Sequence, residues 1–119
     1  MNFFICRYFV NIVETLLPLG YSRGSTVRGA PYDFRRAPNE HADFFVSFKT
    51  LVETTYRDAN ETKVVLIVHS MGGPMMLYFL ARQSQAWKDK YIGTMVSLSG
   101  AWGGSLKAVK VICELKERC

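Results

Sequence analysis

Ser70 closes an apolar run, Val64-Val65-Leu66-Ile67-Val68-His69-Ser70-Met71-Gly72-Gly73, and its setting is that of a nucleophile. A serine at a sharp turn between a buried strand and a helix lifts its hydroxyl above the edge of a parallel sheet, where such sheets bind ligands. The turn forces backbone segments together, so small residues are wanted two positions either side of the serine. Gly72 meets that need; Val68, on the other side, departs from the pattern. The N–H of Met71 would open the following helix and point at a developing oxyanion, the usual first donor of such a site. A serine at such a junction also serves as a helix N-cap. The motif alone leaves both roles open, and the strand before it and the helix after it favour the nucleophile.

The partners a nucleophilic serine needs are harder to find. His69 adjoins Ser70, and neighbours on a strand point to opposite faces, so it is read as a packed, hydrogen-bonded side chain. His41 precedes the serine, whereas triads on such sheets run serine, acid, histidine. After Ser70 come Asp89, Glu114 and Glu117, and no histidine. A His41, Asp58, Ser70 order would copy an unrelated fold and is disfavoured. Tyr32-Asp33 with Arg35-Arg36 is read as a structural salt bridge in preference to a cleft. Trp102, in Gly100-Ala101-Trp102-Gly103-Gly104, either lines an acyl pocket or fills core beside the glycines. Met71, Met75 and Met76 are read as core filler, and Trp87 with Lys88 to Lys90 as a solvated helix end.

Hydrophobic periodicity supplies the elements that must hold Ser70. Phe9, Ile12, Val13, Leu16 and Leu17 recur at helical spacing, and Pro18 and Gly20 stop that helix. Thr26 to Arg28 reads as a short strand and Gly29 to Asn39 as a loop. Phe44, Phe45, Phe48, Leu51, Val52, Thr55 and Tyr56 share a second helical face, capped by Asn39 or Asp43 and ended by Ala59-Asn60-Glu61. Val64 to Val68, β-branched at four of five positions, suits a central parallel strand buried on both faces. Met75, Met76, Phe79 and Leu80 form the next helix, with Pro74 in its first turn. Ile92 to Leu98 is a strand, Ser99 to Ser105 a Gly-rich loop, and Leu106 to Leu115 a helix. Strands alternating with helices at this spacing imply an α/β protein with a parallel sheet and flanking helices.

Composition bounds the possibilities. A chain of 119 residues, 49% hydrophobic, is one small globular domain at most. The net charge of +5 is scattered, so nucleic-acid binding is not expected. Cys6, Cys113 and Cys119 form no CxxC pair, and no histidine stands at zinc spacing, so neither metal nor cofactor is expected. The odd count leaves at least one free thiol, and Cys6 is read as a buried one on the first helix. The apolar start "MNFFICRYFV" carries Arg7 within it and no small-residue cleavage site follows, so it is not read as a signal peptide. No run reaches the ~18 apolar residues of a membrane-spanning helix. Asn60-Glu61-Thr62 is a glycosylation sequon, usable if the chain enters the secretory route.

Three segments carry a wider likeness: "GYSRGSTVRGAPYDFRRAPNE" (20–40), "VVLIVHSMGG" (64–73) and "YFLARQSQAWKDKYIGTMVSLSGAWGG" (78–104). Together they resemble the lecithin:cholesterol acyltransferase family over about residues 8 to 112, and "RRAPNE" points toward its lysosomal phospholipase branch. The resemblance implies an α/β-hydrolase fold with serine acyl-ester chemistry on phospholipids. The acyl group would pass to water or a lipid alcohol at a membrane or lipoprotein surface, in a lysosomal or secreted parent. Ser70 matches the family's nucleophile and Met71 the residue whose N–H serves the oxyanion hole. Phe34 stands where the family usually has Trp, and Val68 where a small residue is usual, which would crowd the turn. Family members run to several hundred residues, and "CELKERC" no longer resembles them. Residues 1–119 are therefore read as the central portion of an α/β-hydrolase domain, truncated at both ends and lacking the triad Asp and His. The alternatives are a catalytically silent product and, on charge alone, a non-enzymatic basic binding module.

Overall fold

Proline and glycine set the first boundary in the chain. In the computed structural model, which describes residues 9–106 and residue 110, helix α1 spans Val10–Leu16 and tightens into a 3-10 turn over Leu17–Leu19. Pro18 cannot donate a helical hydrogen bond. Gly20, at φ +94°, closes the turn by donating its N–H to the Leu17 carbonyl at 3.1 Å. The chain divides after Val64 into two compact units.

In the first unit, Thr26 to Arg28 do not form the expected strand. Only a single bridge pairs Arg23 with Val27. The N–H groups of Thr26 and Val27 both turn back to the Ser22 carbonyl, at 3.0 and 2.9 Å, and Gly24 sits at φ +76°. Two of the segment's three backbone donors are thus spent on a local turn rather than on a ladder. Helix α2, Ala42–Asp58, buries Phe48, Val52 and Thr55. Neither Asn39 nor Asp43 caps it: His41 holds the N-cap position and makes no side-chain capping bond. The reason is a 3-10 turn over Pro38–Glu40, which encloses Asn39, while Asp43 already lies in the first helical turn. The Glu40 carboxylate accepts the Ala37 N–H at 2.8 Å and fixes that turn. At the far end, Arg28 forms an ion pair with Asp58 and its Nε donates to the Ser25 carbonyl at 2.9 Å, tying the preceding loop to the end of α2.

The second unit is a strand–helix–helix–strand unit. Strand β1 spans Val64–His69, α3 Gly72–Leu80, α4 Gln85–Tyr91 and β2 Ile92–Leu98. β1 and β2 pair as a two-stranded parallel sheet, so helices occupy the crossover that parallel strands require. The architecture is α/β. β1 is not buried on both faces. Leu66 and Val68 are buried, whereas Val65 and Ile67, pointing the other way, are 51% and 38% exposed. Alternation of side chains along a strand converts one covered face into this pattern.

A single helix was expected between the strands, and two form. Gln83 and Arg82 close a turn onto the Leu80 and Phe79 carbonyls at 3.2 and 3.1 Å. Ser84 then restarts the helix as an N-cap, its Oγ accepting the Trp87 N–H at 3.2 Å. Trp87 is consequently buried rather than part of a solvated helix end. Its ring meets Phe79 edge-on at 5.7 Å and tilts against Tyr91 at 5.3 Å. Phe79 and Met75 are the most deeply buried large side chains. The expected helix over Leu106 to Leu115 lies largely outside the described residues, as do Cys6, Cys113 and Cys119.

Phe79→Ala should therefore destabilise the protein by about 3–5 kcal/mol, the cost of emptying a buried aromatic site. Ser84→Ala should cost about 1 kcal/mol through the lost cap. Chemical denaturation followed by tryptophan fluorescence measures both; a smaller loss for Phe79→Ala than for Ser84→Ala would contradict the packing described.

Candidate functional site

Ser70 is the first of the two residues between β1 and α3, and its backbone is left-handed, at φ +50°. For a residue with a side chain that conformation costs on the order of 1–3 kcal/mol and persists only when its surroundings enforce it. Three hydrogen bonds do so. The Ser70 N–H donates to the Leu98 carbonyl at 3.0 Å, at the end of β2. Its carbonyl accepts the Gly73 N–H at 3.1 Å, from the first turn of α3, and the Ala101 N–H at 3.2 Å, from the loop after β2. The serine peptide is held from the strand beside it, the helix after it and the loop above it.

A hollow of about 380 Å³ opens beside the serine, lined by Ser70, Met71, Pro74, Ala101, Gly104 and Ser105. Its walls are mostly carbon, apart from the hydroxyls of Ser70 and Ser105. Of the three methionines read as core filler, Met75 and Met76 are buried, but Met71 is 40% exposed and forms one wall. Met71 directly precedes α3. Among the described residues its N–H has no backbone acceptor. A free donor at the start of a nine-residue helix is suited to an anionic oxygen, because the helix dipole adds to the donor's own field.

Trp102 does not line this hollow. Half exposed, its ring lies over Gly73 and Gly100. A Cβ on Gly73 would come within 3.0 Å of the indole ring, and one on Gly100 would collide with both the Ser97 hydroxyl and the indole Nε1. Sequence reasoning assigned the need for a small residue to Gly72 and expected Val68 to crowd the turn. A Cβ at Gly72 would lie 3.5 Å from the Val68 Cβ, an ordinary contact. The close approach falls at Gly73 and Gly100 instead, because Trp102 covers them. Sequence reasoning also missed the Leu98 carbonyl and the Ala101 N–H. Backbone groups leave no residue-type signal, and only the glycine after Ser99 marks the place. The Ser97 hydroxyl is buried with no hydrogen-bond partner among the described residues.

Other candidates resolve into structure. His69 is half-buried at the end of β1. In the first unit His41 is buried, with its Nε2 3.0 Å from the Asp33 carbonyl and its ring against Tyr32, Phe44 and Phe45. Asp33 pairs with Arg35 through two parallel bonds, 2.8 Å from Nε and 2.7 Å from Nη2, and also accepts the Arg35 N–H at 3.1 Å. These bonds hold the Asp33 carboxyl well below the usual carboxylate range. Burial pushes the Tyr32 phenol up. Among the described residues no group of three His, Cys, Asp or Glu side chains could hold a metal ion, and no helix is long and apolar enough to cross a membrane.

A parallel β–α–α–β unit with a left-handed serine at the exit of its first strand defines the class: an α/β protein with a serine-centred hollow at a strand–helix turn. Residues 4–115 match the lecithin:cholesterol acyltransferase family. The chain is 52% identical over 105 residues to the rat lysosomal phospholipase A and acyltransferase, covering 88% of the chain and 25% of that relative. The human protein of the same name is 51% identical over 105 residues, again 88% and 25%. The chicken phosphatidylcholine-sterol acyltransferase is 47% identical over 108 residues, 91% of the chain and 26% of the relative. This chain belongs to the lecithin:cholesterol acyltransferase family, and it spans about a quarter of the length of these relatives.

Gly100→Ala should destabilise the protein by on the order of 1–3 kcal/mol, as overpacking does. Gly73→Ala should cost less, since the half-exposed indole can swing away. Combining Gly73→Ala with Trp102→Ala should remove most of the Gly73 penalty; additive effects in that cycle would show that the indole is not the obstacle. For the exposed Asp33–Arg35 pair the pH dependence follows from sign. A folded carboxyl held below its unfolded value contributes above that value, about 3.9, and loses its contribution as pH falls toward the folded value. Asp33→Asn should therefore cost the same small amount at pH 7 and pH 5, and the difference from wild type should shrink only below about pH 4. Thermal melts across that range test it.

Proposed function

We propose that Ser70 is the nucleophile of a lipid acyl-ester hydrolase or O-acyltransferase, built on an α/β-hydrolase sheet. The observation that carries this reading is the left-handed Ser70 backbone at the β1–α3 turn, beside a mostly apolar hollow. Family membership and the names of the relatives, which speak of phospholipase, acyltransferase and lysosome, support the substrate class and the compartment. The serine oxygen would attack the ester carbonyl of a phospholipid. The Met71 N–H would receive the oxyanion, with the dipole of α3 behind it. The acyl group would rest on Ser70 while the lysolipid leaves, then pass to water or to a lipid alcohol. Carbon-lined walls at Met71, Pro74 and Ala101 suit an acyl chain, and Trp102 contributes by holding the loop rather than by touching the chain.

The serine needs an imidazole to take its proton and a carboxylate to orient that imidazole. Nothing after Ser70 in these 119 residues is a histidine. His41 is committed to the Asp33 carbonyl and an aromatic wall, and we read His69, half-buried at the end of β1, as a packed side chain rather than the base. We assign the base and its acid to sequence beyond these residues, in keeping with relatives four times as long. The lack of a base favours a second reading for the 119 residues alone, that they are catalytically silent.

Applied to the protein as its cell makes it, a fluorophosphonate probe should label Ser70. Ser70→Ala should abolish labelling and lower phospholipid deacylation by on the order of 10⁴-fold or more. Labelling that survives the substitution would move the nucleophile elsewhere. The isolated 119 residues should show no ester turnover that depends on Ser70; finding such turnover would refute the silent reading.

A further inference from the structure

The turn between α2 and β1 carries a motif that acyl transfer does not use. We infer that Asn60 is a site of N-linked glycosylation, an inference that rests on the lysosomal or secreted compartment proposed above. Asn60-Glu61-Thr62 is the only Asn-x-Ser/Thr triplet in the sequence, and its middle residue is not proline. The structure leaves this triplet on the surface, where a glycan can be accommodated. Asn60, Glu61, Thr62 and Lys63 are four consecutive exposed residues, and glycans belong on surface turns.

The conformation is also defined. Asn60 and Glu61 are both left-handed, at φ +50° and +60°. The Glu61 N–H donates to the Tyr56 carbonyl at 2.9 Å and the Thr62 N–H to the Ala59 carbonyl at 3.1 Å. Local backbone bonds therefore hold the turn without help from the asparagine side chain. Among the described residues the Asn60 carboxamide has no hydrogen-bond partner, so modifying it breaks nothing in the fold. The Thr62 hydroxyl likewise makes no hydrogen bond among the described residues, and remains free for recognition of the triplet.

The reaction is a group transfer. The Asn60 Nδ2 attacks the anomeric carbon of a lipid-pyrophosphate-linked oligosaccharide. A carbon–nitrogen bond forms, the carbon–oxygen bond to the pyrophosphate breaks, the lipid pyrophosphate leaves, and the amide loses one proton to solvent. No oxidant or metal of this chain takes part.

The 119-residue chain, placed behind a cleavable secretion leader and translated with microsomes, tests the site apart from the compartment. Leader cleavage and protection from added protease report entry into the lumen. The protected chain should show a single upward step in mass, erased by peptide N-glycosidase. The step should be absent in Asn60→Gln and in Thr62→Ala, and kept in Thr62→Ser and in Glu61→Gly. A protected chain that stays at its unmodified mass, or a step that persists in Asn60→Gln, overturns the inference. If the leader-bearing chain is modified while the protein in its own cell never enters the lumen, the site stands and the compartment falls.

Discussion

Everything proposed for the second unit depends on one pinned peptide. Ser70 holds a backbone conformation that a residue with a side chain avoids, and it does so because its N–H and carbonyl are taken from three directions. The bond to the Leu98 carbonyl requires that β2 end beside β1. The bond from Ala101 requires that the loop after β2 turn back over the serine. The bond from Gly73 requires that α3 begin at once. Strand order, loop path and helix start are thereby coupled at a single residue, and a hydroxyl on that residue is held in place without any side chain committed to the task.

Trp102 is the counterweight to this arrangement. Its ring rests on two glycines, one in the first turn of α3 and one just after β2, so it fastens together the segments that bond to Ser70. Close packing between segments of this kind leaves room for no Cβ, which is why Gly73 and Gly100 carry the constraint and Gly72 does not. The first unit uses different means to a similar end. The Arg28–Asp58 pair and the aromatic wall around His41 each tie loop to helix, and the Glu40 clamp on Ala37 fixes the turn before α2, where a purely polar loop would have little apolar surface to bury. In that unit charge and ring stacking hold the turns. In the second the work is done by backbone bonds and one indole.

Much of the fold was legible because its signals are periodic and long. The α2 face from Phe44 to Tyr56 and the strand from Ile92 to Leu98 declare themselves through spacing, and Pro18 with Gly20 stops α1 by removing a donor and allowing φ > 0. Failures came where local chemistry competed. Thr26 to Arg28 have β-branched residues, but Gly24 and the Ser22 carbonyl close a turn first. Asn39 and Asp43 are good caps by type, yet the Pro38 turn put His41 in the cap position. Ser84 broke one expected helix into two and drew Trp87 inside, where Phe79 and Tyr91 could meet it. β1 looked doubly buried because its run is wholly apolar, and hydrophobicity alone does not say how many layers are present.

The sequence by itself determined that a serine follows an apolar strand and precedes a glycine-rich helix start, that no histidine follows it, and that the segments around it belong to one acyltransferase family. These are matters of residue type and order, which one dimension carries in full. The tertiary structure decided which glycines are crowded, which methionine is a wall rather than core, and that Trp102 holds the loop instead of lining the hollow. It also decided that the serine is left-handed and held so by the Leu98 carbonyl and the Ala101 N–H. Those depend on backbone groups some thirty residues apart meeting at hydrogen-bond distance, and a backbone group is the same at every position in a sequence.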